Sequence, residues 1–150
     1  MEAGYEPLSE NERKTWHALK LIGEWPLSAI EGTLVSEAGL SGAEFGVLTR
    51  LIDLGDGKLL QADLLLSLGW EKSRLSHLLS RMETAGRLAR SVFAGNRAEI
   101  WISEKGRHAV DRARPIHAAA VRKHVLSMLT EEEARVLLTV SEKLRKNSST

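Results

Sequence analysis

Apolar positions in the middle of the chain recur with a helical period. In Trp70-Glu71-Lys72-Ser73-Arg74-Leu75-Ser76-His77-Leu78-Leu79-Ser80-Arg81-Met82-Glu83-Thr84-Ala85-Gly86, residues Leu75, Leu78, Leu79 and Met82 share one stripe at 100° per residue. The opposite side collects Ser73, Arg74, His77, Ser80, Arg81 and Thr84, which are cations and hydrogen-bonding groups without a carboxylate. Glu71 and Glu83 lie at the ends, and Gly86 stands where a glycine stops a helix. An ordinary amphipathic surface helix would carry the same stripe. A basic helix with an acid-free polar face also suits the major groove of DNA, where phosphates and base acceptors supply the negative charge.

The flanking pattern predicts mostly helix. Ser9-Glu10-Asn11-Glu12 has the form of a capping box and opens a helix with Trp16, Leu19, Leu21, Ile22 and Trp25 on a broad apolar front. Pro26 is expected to break or bend it before it resumes through Ile30 and Leu34 to Gly39. Ser41-Gly42-Ala43-Glu44 is a second capping box, followed by Phe45, Leu48, Leu51 and Ile52 at core spacing and closed by Leu54-Gly55-Asp56-Gly57. A short helix from Leu60 to Leu68 ends at Gly69, directly before the basic segment. Two short helices on a tight glycine-containing turn form the helix-turn-helix pattern.

Beyond Gly86 the period shortens. Arg87 to Phe93 and Ala98 to Ile102 are β-rich runs joined by Ala94-Gly95-Asn96-Arg97, whose Gly-Asn pair suits a tight hairpin turn. A hairpin in this place is a wing. Arg97 at its tip is either a solvated loop cation or a minor-groove contact, since a narrow groove attracts arginine. Ser103-Glu104-Lys105-Gly106 opens a helix towards Met128 that Pro115 should bend. Thr130-Glu131-Glu132-Glu133 is a third capping box, and it starts a last helix ending in a frayed Asn147-Ser148-Ser149-Thr150 tail.

Charge sharpens this picture. The net charge of +1 hides five Lys/Arg against eleven Asp/Glu in residues 1–69, eight against four in 70–107, and eight against five in 108–150. A local basic patch on a near-neutral chain fits nucleic acid bound through one face. A length of 150 residues points to one domain. The absence of cysteine removes disulfides, thiolate zinc sites and thiol redox sensing. No apolar run approaches the roughly 20 residues of a membrane span. Met1 to Glu6 lacks the basic and apolar regions of a signal peptide, so a cytoplasmic location is expected.

No catalytic constellation stands out. The serines between Ser73 and Ser80 have no activating base with an orienting acid, and no glycine-rich phosphate loop follows a strand, so no enzyme is expected. His117 and His124 are seven residues apart on a helix, but without cysteine or a His-x-x-x-His pair they read, with His108, as surface or interface residues. No metal or cofactor is expected.

The order of elements resembles the MarR family of winged helix-turn-helix transcriptional regulators, from about residue 39 to 144. The matching pieces are Gly39-Leu40-Ser41 leading into Phe45-x-Val47-Leu48, and Leu60-Gln61-x-Asp63-Leu64. They continue with Ser73-Arg74-Leu75-Ser76, Arg81-Met82-Glu83 and Gly86, then Ile102-Ser103-Glu104-Lys105-Gly106. Family wings commonly read Asp-Arg-Arg or Asp-x-Arg; here Asn96-Arg97-Ala98 is about one residue shorter and lacks the acid. Leu65 and Leu66 stand where the family usually has a small or polar residue, so one of them is expected on the surface.

The resemblance implies a mainly α fold with a small β-hairpin wing. A winged helix-turn-helix lobe would span about residues 41–102, with dimerisation helices at about 9–38 and 103–146 in a single chain of 1–150. It implies a homodimer, most readily a repressor of a pseudo-palindromic operator in double-stranded DNA, with half-sites about 34 Å apart. Terminal helices rich in Leu, Val, Ile and Ala agree, because one small lobe cannot bury all their apolar faces. Ser73, Arg74, Ser76, His77 and Arg81 would read base edges or nearby phosphates, Lys72, Arg87 and Arg90 would contact the backbone, and Arg97 would enter the minor groove. Family members often bind aromatic acids between dimer helices and reading head and then release DNA. Trp16, His17, Trp25 and Trp70 would line such a pocket, with core and lid packing as their other explanation. The competing function is a winged-helix module for protein–protein assembly, its basic face meeting an acidic partner.

Overall fold

The computed structural model describes residues 5–93, 95 and 97–148. The chain begins with α1 (Glu10–Thr33), followed by a five-residue π turn (Leu34–Ala38), α2 (Gly42–Gly55), β1 (Lys58–Leu60), α3 (Gln61–Leu68) and α4 (Lys72–Thr84). β2 (Leu88–Phe93), β3 (Arg97–Ile102), α5 (Glu104–His124), a 3-10 turn (Leu126–Met128) and α6 (Glu131–Ser148) complete it. This is the mainly helical winged helix-turn-helix arrangement expected. Of the polar tail, Asn147 and Ser148 belong to α6, while Ser149 and Thr150 lie outside the described residues, as do Met1 to Gly4 and the turn residue Asn96.

All three capping boxes form. The Ser9 N–H donates to Glu12 Oε2 at 2.7 Å, and the Glu12 N–H donates to Ser9 Oγ at 3.3 Å. Ser41 with Glu44 and Thr130 with Glu133 repeat this exchange. Each box satisfies two backbone donors that a helix start leaves unpaired. Neither proline ends its helix: Pro26 lies inside α1 and Pro115 inside α5. A proline removes one ladder donor, and the helical hydrogen bonds on either side of it continue. α1 passes directly into the π turn, which stops at Gly39 in the left-handed conformation, φ +67°.

The chain divides into two compact units. The first is Glu31–Ala119, the second Met1–Ile30 with Ala120–Thr150. The first unit is larger than the 41–102 lobe expected from sequence. Its core takes Leu34, Ala38 and Leu40 from before that range, and Ala109, Val110 and Ala113 from after it. These pack with Val47, Leu48 and Leu51 of α2, Leu64 of α3, Ile100 of β3, and Leu75, Leu78, Leu79 and Met82 of α4. Of the paired leucines, Leu66 is 84% exposed, whereas Leu65 packs on the core. The sheet is three-stranded and antiparallel in the order β1-β3-β2. β1 was not foreseen: Lys58, Leu59 and Leu60 pair with Trp101, Ile100 and Glu99.

The second unit buries little. Among its described residues only Ile30 and Ala120 are buried, while Trp25, Leu27, Met128 and Leu138 are all more than 60% exposed. Ile22 and Pro26 of α1 face Val125, Met128, Leu129, Val136 and Leu137 across an apolar hollow of about 660 Å³.

The segment Ile102-Ser103-Glu104-Lys105-Gly106 closes the first unit by tying the end of α4 to the start of α5. Ser103 Oγ donates to the Gly86 carbonyl at 2.6 Å and accepts from the Gly106 N–H at 3.0 Å. Lys105 Nζ donates to the Ala85 carbonyl at 2.8 Å. A Cβ on Gly106 would collide with the Arg87 carbonyl and the Ile102 side chain, so only glycine permits this approach. Gly106→Ala should therefore destabilise the protein by about 2 kcal/mol, the range for forcing one extra methyl into a packed site. Urea unfolding measures it, and an unchanged midpoint would refute the close-approach argument.

Candidate nucleic-acid interface

The buried stripe of α4 determines which side chains face solvent. With Leu75, Leu78, Leu79 and Met82 in the core, Lys72, Ser73, Arg74, His77, Ser80, Arg81 and Thr84 are exposed, and Ser76 is half-buried at the margin. The first turn of α4 carries no acidic residue, and its N-cap Glu71 makes no side-chain capping bond. The leading N–H groups thus have no carboxylate or hydroxyl from the cap, an arrangement receptive to an anion. At the other end the Arg87 N–H reaches the Met82 carbonyl and the Gly86 N–H the Glu83 carbonyl, with Gly86 at φ +76°. This is a Schellman stop.

The carboxylate at the C-terminal end of α4 is neutralised from the wing. Glu83 accepts from the Arg90 backbone N–H at 3.1 Å and from its guanidinium at 3.2 Å, and Arg90 Nη2 also donates to Ser80 Oγ at 3.0 Å. Ser80 and Thr84 turn their own hydroxyls back onto the carbonyls of Ser76 and Ser80. Arg87 is likewise engaged: it donates to Glu44 Oε2 at 3.1 Å and to the Gly39 carbonyl at 3.2 Å. Arg87 and Arg90 were expected as contacts to a DNA backbone. In the structure each guanidinium lies within reach of an intramolecular carboxylate, so each also ties two elements of the lobe together.

Arg74 sits with its Cζ 3.9 Å from the centre of the Trp70 ring, whose indole is half-buried against the core. Lys72, Arg81 and Arg97 form no ion pair among the described residues. Lys72 and Arg97, far apart in sequence, line one hollow of about 430 Å³ with Leu60, Gln61 and Asp63. Phe93 and Arg97 face each other across the wing at the last register position, and Gly95 between them takes φ +84°. The structure thus brings Lys72, Ser73, Arg74, Ser76, His77 and Arg81 onto one helix, with Arg97 on the adjoining hairpin.

The residues expected to line a ligand pocket are spread out. Trp25 lines a hollow of about 500 Å³ with Leu21, Ile22, Pro26, His124 and Met128. Trp16 borders a separate shallow one with Leu8 and Leu19, and Lys20 Nζ lies 5.8 Å from its ring. His17 is exposed and borders neither hollow. Trp70 belongs to the other unit, where it packs on the core. His117 packs on Phe45 with ring centres 4.7 Å apart, and burial holds its imidazole below the usual value. Sequence reading missed the roles of Gln61 on the cation-lined hollow and of Glu44 and Glu83 as arginine partners. Only the Trp70–Arg74 spacing of four offered a local signal.

No family model and no curated protein matches the chain. Solved structures do. A MarR family transcriptional regulator from Streptomyces coelicolor, Sco3205, in complex with DNA, superposes with a TM-score of 0.88 at 22% identity, over 97% of this chain and 92% of that one. AbsC, a MarR family regulator from the same organism, gives 0.81 at 25% identity over 95% and 99%. An organohalide-sensing transcriptional regulator in its 2,4-dichlorophenol-bound form gives 0.82 at 24% identity over 98% and 88%. The chain has the fold of MarR family regulators.

The bracing role of Arg87 is testable without DNA. Arg87→Met should lower stability by about 1 kcal/mol in urea unfolding, the typical net worth of a partly buried polar contact. An unchanged unfolding midpoint would show that Arg87 is not a brace.

Proposed function

We propose that this chain is a sequence-specific DNA-binding transcriptional regulator that acts as a homodimer, most readily as a repressor at a pseudo-palindromic site. The carrying observation is the exposed, carboxylate-free polar face of α4, whose free cations continue onto the wing at Arg97. Thirteen residues make a helix about 20 Å long, which fits the major groove lengthwise. In this proposal Ser73, Arg74, Ser76, His77 and Arg81 read base edges and nearby phosphates. Lys72 contacts the backbone, and Arg97 enters the minor groove. Arg87 and Arg90 hold α4 and the wing in place instead of touching DNA.

The homodimer is supported by the apolar surface of the second unit. Trp25, Leu27, Met128 and Leu138 are exposed on helices that bury almost nothing of their own. A second copy of the same surface covers such faces at no cost in new sequence. The relative solved with DNA supports the choice of partner, and the relative solved with 2,4-dichlorophenol supports a small aromatic effector. In this proposal Trp25, which lines a hollow with Ile22 and His124, meets such a ring.

The free cations of the two α4 faces and wings predict binding to duplex DNA that weakens steeply with salt. On a duplex selected by the protein, Arg74→Ala should cost about 1–3 kcal/mol and relax preference at one base pair per half-site. Arg97→Ala should instead weaken all sequences and lower the salt slope by about 1 per arginine removed. Gel-shift titrations across a range of salt measure both. Absent or salt-insensitive DNA binding would overturn this function and favour a protein–protein assembly module.

A further inference from the structure

We propose that Trp70 is a positioning residue for base recognition: its indole is the platform that presents the Arg74 guanidinium to DNA. The inference rests on the DNA-reading role of α4 proposed above and adds a residue that need not touch the duplex.

The turn of the helix-turn-helix builds the platform. α3 stops at Gly69, whose φ of +66° reverses the chain, and Glu71 caps α4 in an extended conformation, φ −67° and ψ 141°. Trp70 lies between these two restrained residues. Its indole packs on the core yet stays half-exposed, so one part of the ring is fixed and another is open. Arg74 follows four residues later, in the first turn of α4, and its guanidinium meets that ring at 3.9 Å.

An indole is the best aromatic partner for a guanidinium, and a planar guanidinium can stack on it while its N–H fork stays free. The stack removes rotamer freedom that bidentate pairing with a guanine would otherwise have to remove on binding. Arg74 remains exposed, so the stack orients it without hiding it. Lys72, Arg81 and Arg97 have no such support among the described residues. Their guanidinium and ammonium groups are oriented only once DNA is bound. Arg74 is the cation whose direction is determined before DNA arrives.

The test is a double-mutant cycle on the full-length protein with Trp70→Leu, Trp70→Phe, Arg74→Ala and Trp70→Leu/Arg74→Ala. Each is titrated against the selected duplex and a scrambled one, with thermal melting as the control for folding. Trp70→Leu should lose about fivefold on the selected duplex, the upper end of the scale for an exposed cation–π contact. It should lose nothing on the scrambled duplex and keep the same salt slope. Trp70→Phe should keep most of the affinity, and the double variant should bind no worse than Arg74→Ala. Additive losses, or an equal loss on both duplexes, would overturn the platform. So would full affinity of Trp70→Leu. A readout free of DNA accompanies this: the Arg74 Nε–Hε NMR signal should show a ring-current shift in the wild type and Trp70→Phe, and lose it in Trp70→Leu. A wild type without that shift overturns the platform even if DNA binds. A wild type that shows the shift but prefers no duplex overturns the DNA reading of α4 instead.

Discussion

Four side chains of one helix bear most of the architecture. Leu75, Leu78, Leu79 and Met82 are all in the core, and a helix with such a stripe buried has no rotational freedom left. Its remaining positions are thereby committed to solvent in a defined order. Turning α4 by one residue would bury a cation or serine and expose a leucine, losing on the order of 2 kcal/mol for the leucine alone. Hydrophobic burial, which carries no information about DNA, is what makes a chemically selective face out of Ser73, Arg74, His77 and Arg81.

Around that helix, ion pairs and hydrogen bonds serve position more than stability. Arg90 neutralises Glu83 and binds Ser80, so the wing is tied to the end of α4 and the nearest carboxylate is removed from play. Arg87 joins the C-terminal end of α4 to the start of α2 through Glu44, whose Oε2 also accepts the Ser41 N–H of the capping box. Ser103 and Lys105 take up carbonyls that the Schellman turn leaves open. Each link is worth little alone. Together they hold a short helix and a hairpin in one relation, which groove reading requires.

Much of this was legible in sequence where the signal is local. The capping boxes at Ser9, Ser41 and Thr130, the stop at Gly86 and the amphipathic stripe depend on residues three to seven apart, and all stand in the structure. What was not legible depends on distant partners. β1 has three residues, too few to show alternation, and is a strand only because β3 lies beside it. Arg87 looked like a free cation because Glu44, its partner, is 43 residues away. Pro26 was expected to break or bend its helix and Pro115 to bend its own, because proline's local cost is plain; both lie inside continuous helices. That Leu34, Ala38 and Leu40 before α2 and Ala109, Val110 and Ala113 of α5 join the same core was not legible either, since no local pattern ties them to α4. The sites on α4 came from the same stripe as the fold, whereas Trp70 was read as part of a pocket and its contact with Arg74 was not foreseen.

The central claim is that two copies of this committed face meet one duplex side by side. Selection of bound sequences from a random duplex pool by the purified protein tests it most directly. The account predicts enrichment of an inverted repeat whose half-site centres are one helical turn apart, about 34 Å. Enrichment of a single unrepeated half-site, or of no sequence at all, would contradict it.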